Sequence, residues 1–357
     1  MKIKLSLFIL VSLFCIKGFS QEDHLGKQKR SKEDKAKDEG KLNAKGKEKH
    51  EKAKKDFAEI SGATFEIAAN EVQNQDPTEL LGIPSNQTPD TKEGEKQHDE
   101  NKKNQKDINA KVKKDAKNDK IEIDFSASGA APAAVSGGVG ASYTDASFWN
   151  SSYYTPVKNQ GQCGSCWSFA ACAAFEHTYK KWYGVQLDLS EQDVVACGVN
   201  CVGADCGSCG GGWSDAAFGY MRCKGVALES SYGYTATSGP CYSRPKSKSA
   251  YTWGQLINGS ADWVKYYITI YGSVVTYMKA GIGTFYAYSS GVYNGWPNAW
   301  GGGIDHAVTI VGWSNYWNAW IIKNSWGPGW GSYGGYAYIG YNQCNIAKYV
   351  YWVYPNA

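Results

Sequence analysis

All 14 tryptophans and all 25 tyrosines of this chain lie at or beyond Tyr143, and that partition decides where a core can form. Burial of aromatic and aliphatic side chains has to offset the entropy of ordering the backbone. Folding capacity therefore sits mainly in the C-terminal part, while Lys, Glu and Asp crowd the first third. With 357 residues the chain has room for two or three domains and a sizeable core. From Ser126 on, 12 Lys/Arg stand against 10 Asp/Glu, a near-balanced surface that offers nothing to nucleic acid. The lysines before residue 121 are interleaved with comparable acid and make no basic patch either.

The first 142 residues divide by composition. Met1-Lys2-Ile3-Lys4, the apolar run Leu5 to Ile16 and the small residues of Gly18-Phe19-Ser20 have the form of a secretory signal over residues 1–20. The apolar run is short for a membrane span; an anchor is the competing reading. A secretory route is oxidising, so disulfides are expected. From Gln21 to about Asp124 the chain is polar, with Gly40 and Gly46 interrupting any long helix, and it reads as a solvated, partly helical or disordered segment. One island differs: Phe57 to Ile60, Phe65 to Asn70, and Asp76 to Leu81. Asp76, Pro77 and Glu79 form a helix start. Ser126 to Ser142 is Ala/Gly/Ser-rich, a flexible, protease-accessible linker and the clearest boundary in the chain.

Beyond it, Phe148 to Lys158 reads as an extended lead-in. Helices are expected over Cys166 to Trp182, after Ser190, and over Ser214 to Arg222. From Ser273 the texture turns to short β-rich runs, with strands expected at Ser273 to Tyr277, Ala307 to Trp313, Ala319 to Lys323 and Tyr336 to Tyr341. A helical half followed by a β half gives an α+β architecture of two lobes.

Chemistry concentrates in Gln160-Gly161-Gln162-Cys163-Gly164-Ser165-Cys166-Trp167-Ser168-Phe169-Ala170. A thiol stands where a Gly-rich loop meets a helix-forming run, and a helix N-terminus favours the thiolate. Cys163 and Cys166 also form a C-x-x-C, so thiol–disulfide exchange is a rival reading. Cys197, Cys201, Cys206 and Cys209 are spaced closely enough for zinc, although a secreted chain favours disulfides. A His and an Asn that could serve a nucleophilic Cys stand in Asp305-His306-Ala307-Val308 and Lys323-Asn324-Ser325-Trp326-Gly327.

The cysteine stretch fits the Cys-Gly-Ser/Ala-Cys-Trp/Tyr signature of papain-like proteases, and His306 follows about 140 residues later, as it does there. With the Asn324 block the chain from about Trp149 to its end resembles a papain-family, cathepsin L-like cysteine protease. The resemblance implies a papain-like fold of a helical left lobe and a β-barrel-like right lobe, with the active-site cleft between them. It implies Cys166 as nucleophile, His306 as its proton acceptor and donor, Asn324 orienting the imidazole under Trp326, and Gln160 stabilising the oxyanion. Gly164, Ser165, Gly211, Gly212 and Asp305 would line the cleft. Tyr349 would floor the second substrate pocket, shortening it so that moderate apolar side chains fit and Arg does not.

The same resemblance implies disulfides Cys163–Cys209 and Cys197–Cys241. Cys201–Cys206 is expected as a local bond, Cys172 as a core residue, and Cys344 either pairs with Cys223 or stays unpaired. The organisation implied is a signal peptide over 1–20, an atypical charged propeptide over 21–125, a linker and processing region over 126–142, and a peptidase domain over 143–357. Phe65 to Leu80 resembles the end of the family's inhibitory propeptide, and cleavage is expected between Ser136 and Thr144. The partners implied are peptide or protein substrates and the chain's own propeptide as inhibitor. The product is expected to be a monomeric endopeptidase of the secretory pathway, lysosomal, phagosomal or extracellular, with no membrane association after signal removal, no cofactor and no metal. Asn86, Asn150 and Asn258 stand in glycosylation sequons. A catalytically silent homologue acting as a binding protein is the reading from another class.

Overall fold

The computed structural model describes residues 37–83, 92–104, 107, 110, 151–199, 203, 205–331 and 333–357. The stretches expected to be signal and linker, the expected cleavage region, Asn86, Asn150 and Cys201 lie outside them. No helix among the described residues is long and apolar enough to cross a membrane.

The N-terminal segment forms α1 (Ala44–Ala58), β1 (Phe65–Ile67), the short α2 (Pro77–Leu80) and α3 (Lys92–Lys103). Helices α4 (Cys166–Tyr183), α5 (Glu191–Cys197) and α6 (Ser214–Cys223) follow, with the two-residue strands β2 (Gly207–Ser208) and β3 (Gly211–Gly212) between the last two. Then come β4 (Ala250–Ile257), α7 (Ala261–Tyr271), β5 (Val274–Met278), α8 (Gly283–Tyr286), β6 (Tyr288–Tyr293), β7 (His306–Ser314), β8 (Ala319–Lys323), β9 (Tyr336–Gly340) and β10 (Tyr349–Pro355). The main sheet has the order β1-β6-β9-β8-β7-β5-β10-β4, antiparallel except for the β6–β9 pair.

Helix α4 is the axis of the molecule. It is buried on nearly every side, polar residues Glu176, His177 and Lys181 included, which is why its sequence shows no polar stripe. It packs against β7, β10 and α6 and stops at Gly184, whose φ of 69° supplies the left-handed C-cap. Helix α5 begins at Ser190, whose hydroxyl accepts from Asp193 N at 2.9 Å. Two buried clusters result. One lies around α4, α6 and Trp253, and the other around the aromatic-rich strands β6 to β9.

The structure corrects two expectations here. The α+β class is as expected, but β4 and α7 stand before the expected β half, and β6 and β10 complete the sheet. These Tyr/Trp-rich stretches are buried on both faces and show no two-residue alternation. The described part of the N-terminal segment is also ordered, not merely solvated. Asn43 caps α1, accepting from Gly46 N at 2.8 Å. Gly46 does not interrupt the helix but admits a neighbour, since a Cβ there would stand 2.2 Å from Asn74 Oδ1. Phe65 on β1 packs 5.1 Å from Phe57 and 4.5 Å from Tyr293. Strand β1 joins the sheet edge beside Gly291, where a Cβ would meet the Thr64 carbonyl at 2.4 Å. The Asp76 start is as read, its carboxylate accepting from Thr78 N at 2.9 Å.

Candidate active site

Pairing of β7 with β8 places Thr309 opposite Lys323, so His306 at the start of β7 and Asn324 just past β8 come to the same end of the sheet. His306 Nε2 and Asn324 Oδ1 are 2.8 Å apart. Asn324 Oδ1 also accepts from Ser325 N at 2.8 Å. That acceptor assigns the ring proton to Nε2 and leaves Nδ1 as the bare nitrogen. Nδ1 is buried without a hydrogen-bond partner. Trp326, 2 % exposed, lies with its ring 4.7 Å from the imidazole and closes that side from water.

Cys166 is the first residue of α4 and is fully buried. Ala307 N, next in the chain after His306, donates to its Sγ at 3.3 Å, bringing the thiol to the same end of β7. The loop before it is stapled by Cys163–Cys209, and Gly164 N donates to Cys209 O at 2.8 Å. Cys166 is in no disulfide, so the C-x-x-C is not a redox pair in this structure. Cys197 is bonded to Cys241; with Cys209 also committed, a zinc site on the cysteine cluster would lack two of its four ligands. The expected Cys201–Cys206 bond is not formed, because Cys206 is a buried thiol donating to the Ala216 carbonyl at 3.1 Å. Cys344 stays a buried free thiol while Cys223 is disulfide-bonded elsewhere. Cys172 is in the core.

The cleft between these groups is filled by the N-terminal segment. Gln160 Nε2 donates to Leu80 O at 3.2 Å and to Cys163 O at 2.9 Å. The Gly82 amide hydrogen-bonds the Cys166 sulfur. Gly212 N donates to Gly82 O at 2.9 Å, and Ile83 N donates to Asp305 O at 3.1 Å. Ile83 is 4 % exposed in the buried cluster that holds Tyr349, Ala307 and Cys166. Gly82 is required by the approach, since a Cβ there would stand 2.0 Å from the Gly164 carbonyl oxygen and 3.0 Å from Cys166 Sγ.

Burial sets the charge state of the covered site. It pushes the Cys166 thiol up to about 12, against the opposing pull of the Ala307, Gly82 and Trp167 amides. It pushes His306 down to about 4, against the Asn324 hydrogen bond and the Asp305 charge. Thiol and imidazole are both neutral beneath the segment.

The remaining residues singled out in the sequence fall as follows. Gly211 pairs with Ser208 in the small ribbon that presents Gly212. Ser165 is buried and its hydroxyl lies 2.6 Å from Tyr234 OH, turned from the cleft. The Asp305 carboxylate pairs with Lys279 Nζ at 2.6 Å and accepts from Ala280 N at 2.6 Å. Sequence reasoning missed Lys279, Tyr234, whose hydroxyl donates to Gln160 O at 2.8 Å, and Ser325, whose hydroxyl donates to Gln160 Oε1 at 2.6 Å. It also missed Leu80, Gly82 and Ile83; an apolar run with a glycine just after a capped helix was the available signal.

Comparison with known proteins gives a consistent answer. Residues 141–354 match the family model described as papain family cysteine protease. A cysteine protease of Blomia tropicalis is 37 % identical over 207 residues, 55 % of this chain and 61 % of the relative. Mouse cathepsin K is 37 % identical over 198 residues (54 % and 58 %), and human cathepsin L2 is 37 % identical over 216 residues (57 % and 63 %). The chain thus spans about three fifths of the length of the curated relatives it matches. Among solved structures, one reported for the antibody cross reactivity of the mite allergens Blo t 1 and Der p 1 matches 93 % of this chain and 97 % of its own. Its TM-score is 0.63 at 26 % identity. The proform of the ragweed pollen cysteine protease Amb a 11 matches with a TM-score of 0.51 at 29 % identity over 57 % of this chain and 63 % of its own.

Proposed function

This chain belongs to the papain family of cysteine proteases, and we propose that it is an endopeptidase made as a secreted zymogen, latent while Leu80 to Ile83 occupy its cleft. The observation that carries the reading is a thiol at the first residue of α4, joined through the Ala307 amide to a His306 whose Nε2 is held by Asn324 and whose Nδ1 is unpaired.

With the segment gone, water reaches the site, and the burial that keeps both groups neutral is relieved. The Cys166 proton then passes to His306 Nδ1, aided by the N-terminal end of α4. The thiolate attacks the scissile carbonyl, and the oxyanion is met by Gln160 Nε2 and the Cys166 amide, the former now on Leu80 O. His306 returns its proton to the leaving amine as the C–N bond breaks, giving a thioester. A water then gives its proton to Nδ1 and attacks the thioester, releasing the acid and the thiol. Asn324 keeps the ring in the productive tautomer, and Trp326 shields their bond.

The direction of the covering segment accounts for its survival. In a substrate the residue in the second pocket precedes the scissile carbonyl. Here Ile83, in the Tyr349 cluster, follows Leu80, whose carbonyl sits on Gln160, so the segment runs backwards through the cleft and presents no productive peptide bond. The natural substrates are peptides or proteins with an aliphatic residue at the pocket Ile83 fills.

The test is to incubate the full-length chain at acid pH and follow hydrolysis of a peptide amide. A thiol-directed affinity label should add mass to the Cys166 peptide and abolish hydrolysis in proportion. Neither hydrolysis nor label on Cys166 would establish a silent homologue instead.

A further inference from the structure

The N-terminal segment is held at a second place, remote in sequence from the cleft peptide. Helix α3 lies along β4 and reaches α6. Strand β4 ends the main sheet on its side, and such an edge presents backbone groups that no neighbouring strand pairs. Asn101 Nδ2 donates to the Trp253 carbonyl on β4 at 2.8 Å, and the Thr252 hydroxyl donates to Asn101 Oδ1. Gln97 Nε2 donates to Asn101 Oδ1 at 3.0 Å. Arg222, in the last turn of α6, donates through Nη1 to Gln97 Oε1 at 2.6 Å and to Glu100 Oε2 at 3.0 Å. Gln97, Glu100 and Asn101 stand three and four residues apart, on one helix face. Gln97 and Asn101 are buried to 5 % and 7 % exposure, which polar carboxamides accept only where their bonds are met.

Residues 92–103 contain no Ala, Val, Leu, Ile, Met, Phe, Tyr or Trp. A helix polar all round does not hold itself on a domain by apolar burial. Among the described contacts its attachment rests on the carboxamide pair and the Arg222–Glu100 bridge, which depend on position along the helix. Building on the zymogen reading above, we propose that the β4 edge with Arg222 is an exosite of the peptidase domain. Its occupant is helix 92–103, making the inhibitory segment bidentate. Eight residues, 84–91, join the two anchors, so each holds the other at high effective concentration. A cut between Ser136 and Thr144 would then sever the chain without releasing the inhibitor.

A recognition sequence for a site-specific protease, inserted within 126–142 of the full-length chain, allows that cut to be made at neutral pH. The N-terminal piece should remain with the domain through gel filtration. Its dissociation rate should rise about tenfold or more in the Gln97→Ala/Asn101→Ala double variant, from three lost hydrogen bonds to the domain. Glu100→Arg should also speed release, and Arg222→Glu added to it should largely restore retention, a rescue that a misfolded helix would not give. Immediate loss of the piece from the parent, a double variant that dissociates at the parent rate, or failure of the charge swap to rescue would each overturn the exosite. Because dissociation is read without substrate, failure of the peptidase reading would show separately, as absent hydrolysis by the stripped domain.

Discussion

Replacing Gly82 by Ala tests the cleft geometry directly. The added Cβ would stand 2.0 Å from the Gly164 oxygen and 2.5 Å from its carbon, both backbone atoms of the disulfide-stapled loop. Neither can yield as a flexible side chain would, so the segment has to lift. Lifting forfeits the Gly212–Gly82 and Ile83–Asp305 hydrogen bonds, at about 0.5–1.5 kcal/mol each. It also exposes the Ile83 side chain, worth about 1.5–3 kcal/mol. The sum, about 2.5–6 kcal/mol, corresponds to roughly 10² to 10⁴ in the population of the uncovered site. The assay is the rate at which a small alkylating reagent modifies Cys166 in the full-length chain at neutral pH, read by peptide mass. The buried thiols Cys172 and Cys344 serve as internal references, because their environment does not change. A Cys166 rate at least about a hundredfold above the parent, with the references unmoved, is expected. A rate within threefold of the parent would refute the argument that Gly82 is the point of closest approach.

Acidity should loosen the same contact. His306 is held down to about 4 in the covered site, below its ordinary 6.5, so the uncovered site takes up a proton more readily. The cover therefore weakens as pH falls from about 6.5 towards 4; amide protection factors at Leu80 to Ile83 that stayed flat across this window would contradict it. Lys158→Met leaves Glu191 and Glu176, each with a side chain 2 % exposed, without their ammonium. A loss of about 3–5 kcal/mol in chemical denaturation is expected, and a loss under about 1 would show the pair to be expendable. Lys279→Met removes the cation from Asp305, whose charge raises both Cys166 and His306. Both limbs of the kcat/KM–pH profile of the activated domain should move up, by about half a unit to one unit, whereas an unmoved profile would remove Lys279 from the electrostatics of the site. A peptide library should show Ile, Val or Leu preferred at the second position and Arg disfavoured, since Lys348 Nζ lies 5.5 Å over the Tyr349 ring; a preference for Arg there would exclude the pocket assignment.

The peptidase lobes were more legible than the segment that covers them. Strand β8 was read to the residue from Ala319 to Lys323, and α4 began at Cys166 as expected, because Gly-rich turns and a helix-forming run mark those limits locally. Strands β6 and β10 left no alternation to read, since they are buried on both faces. The N-terminal segment misled for the opposite reason. Its polar composition says correctly that it cannot build a core, and says nothing of a core belonging to another part of the chain that Phe65, Leu80 and Ile83 can enter.

What the sequence by itself determined was chemical identity: which Cys, His and Asn are present, in what order, at the junctions of loops with regular structure. Spacing along a chain carries that much, because the thiol's place at a helix start is a local property. What only the tertiary structure decided was which groups meet. The β7–β8 register brings His306 to Asn324. The Cys163–Cys209 bond leaves Cys166 as a thiol. The cleft is filled by residues about 80 positions upstream of Gln160. Each is a contact between segments far apart in sequence, settled by packing and by hydrogen bonds that no local pattern encodes.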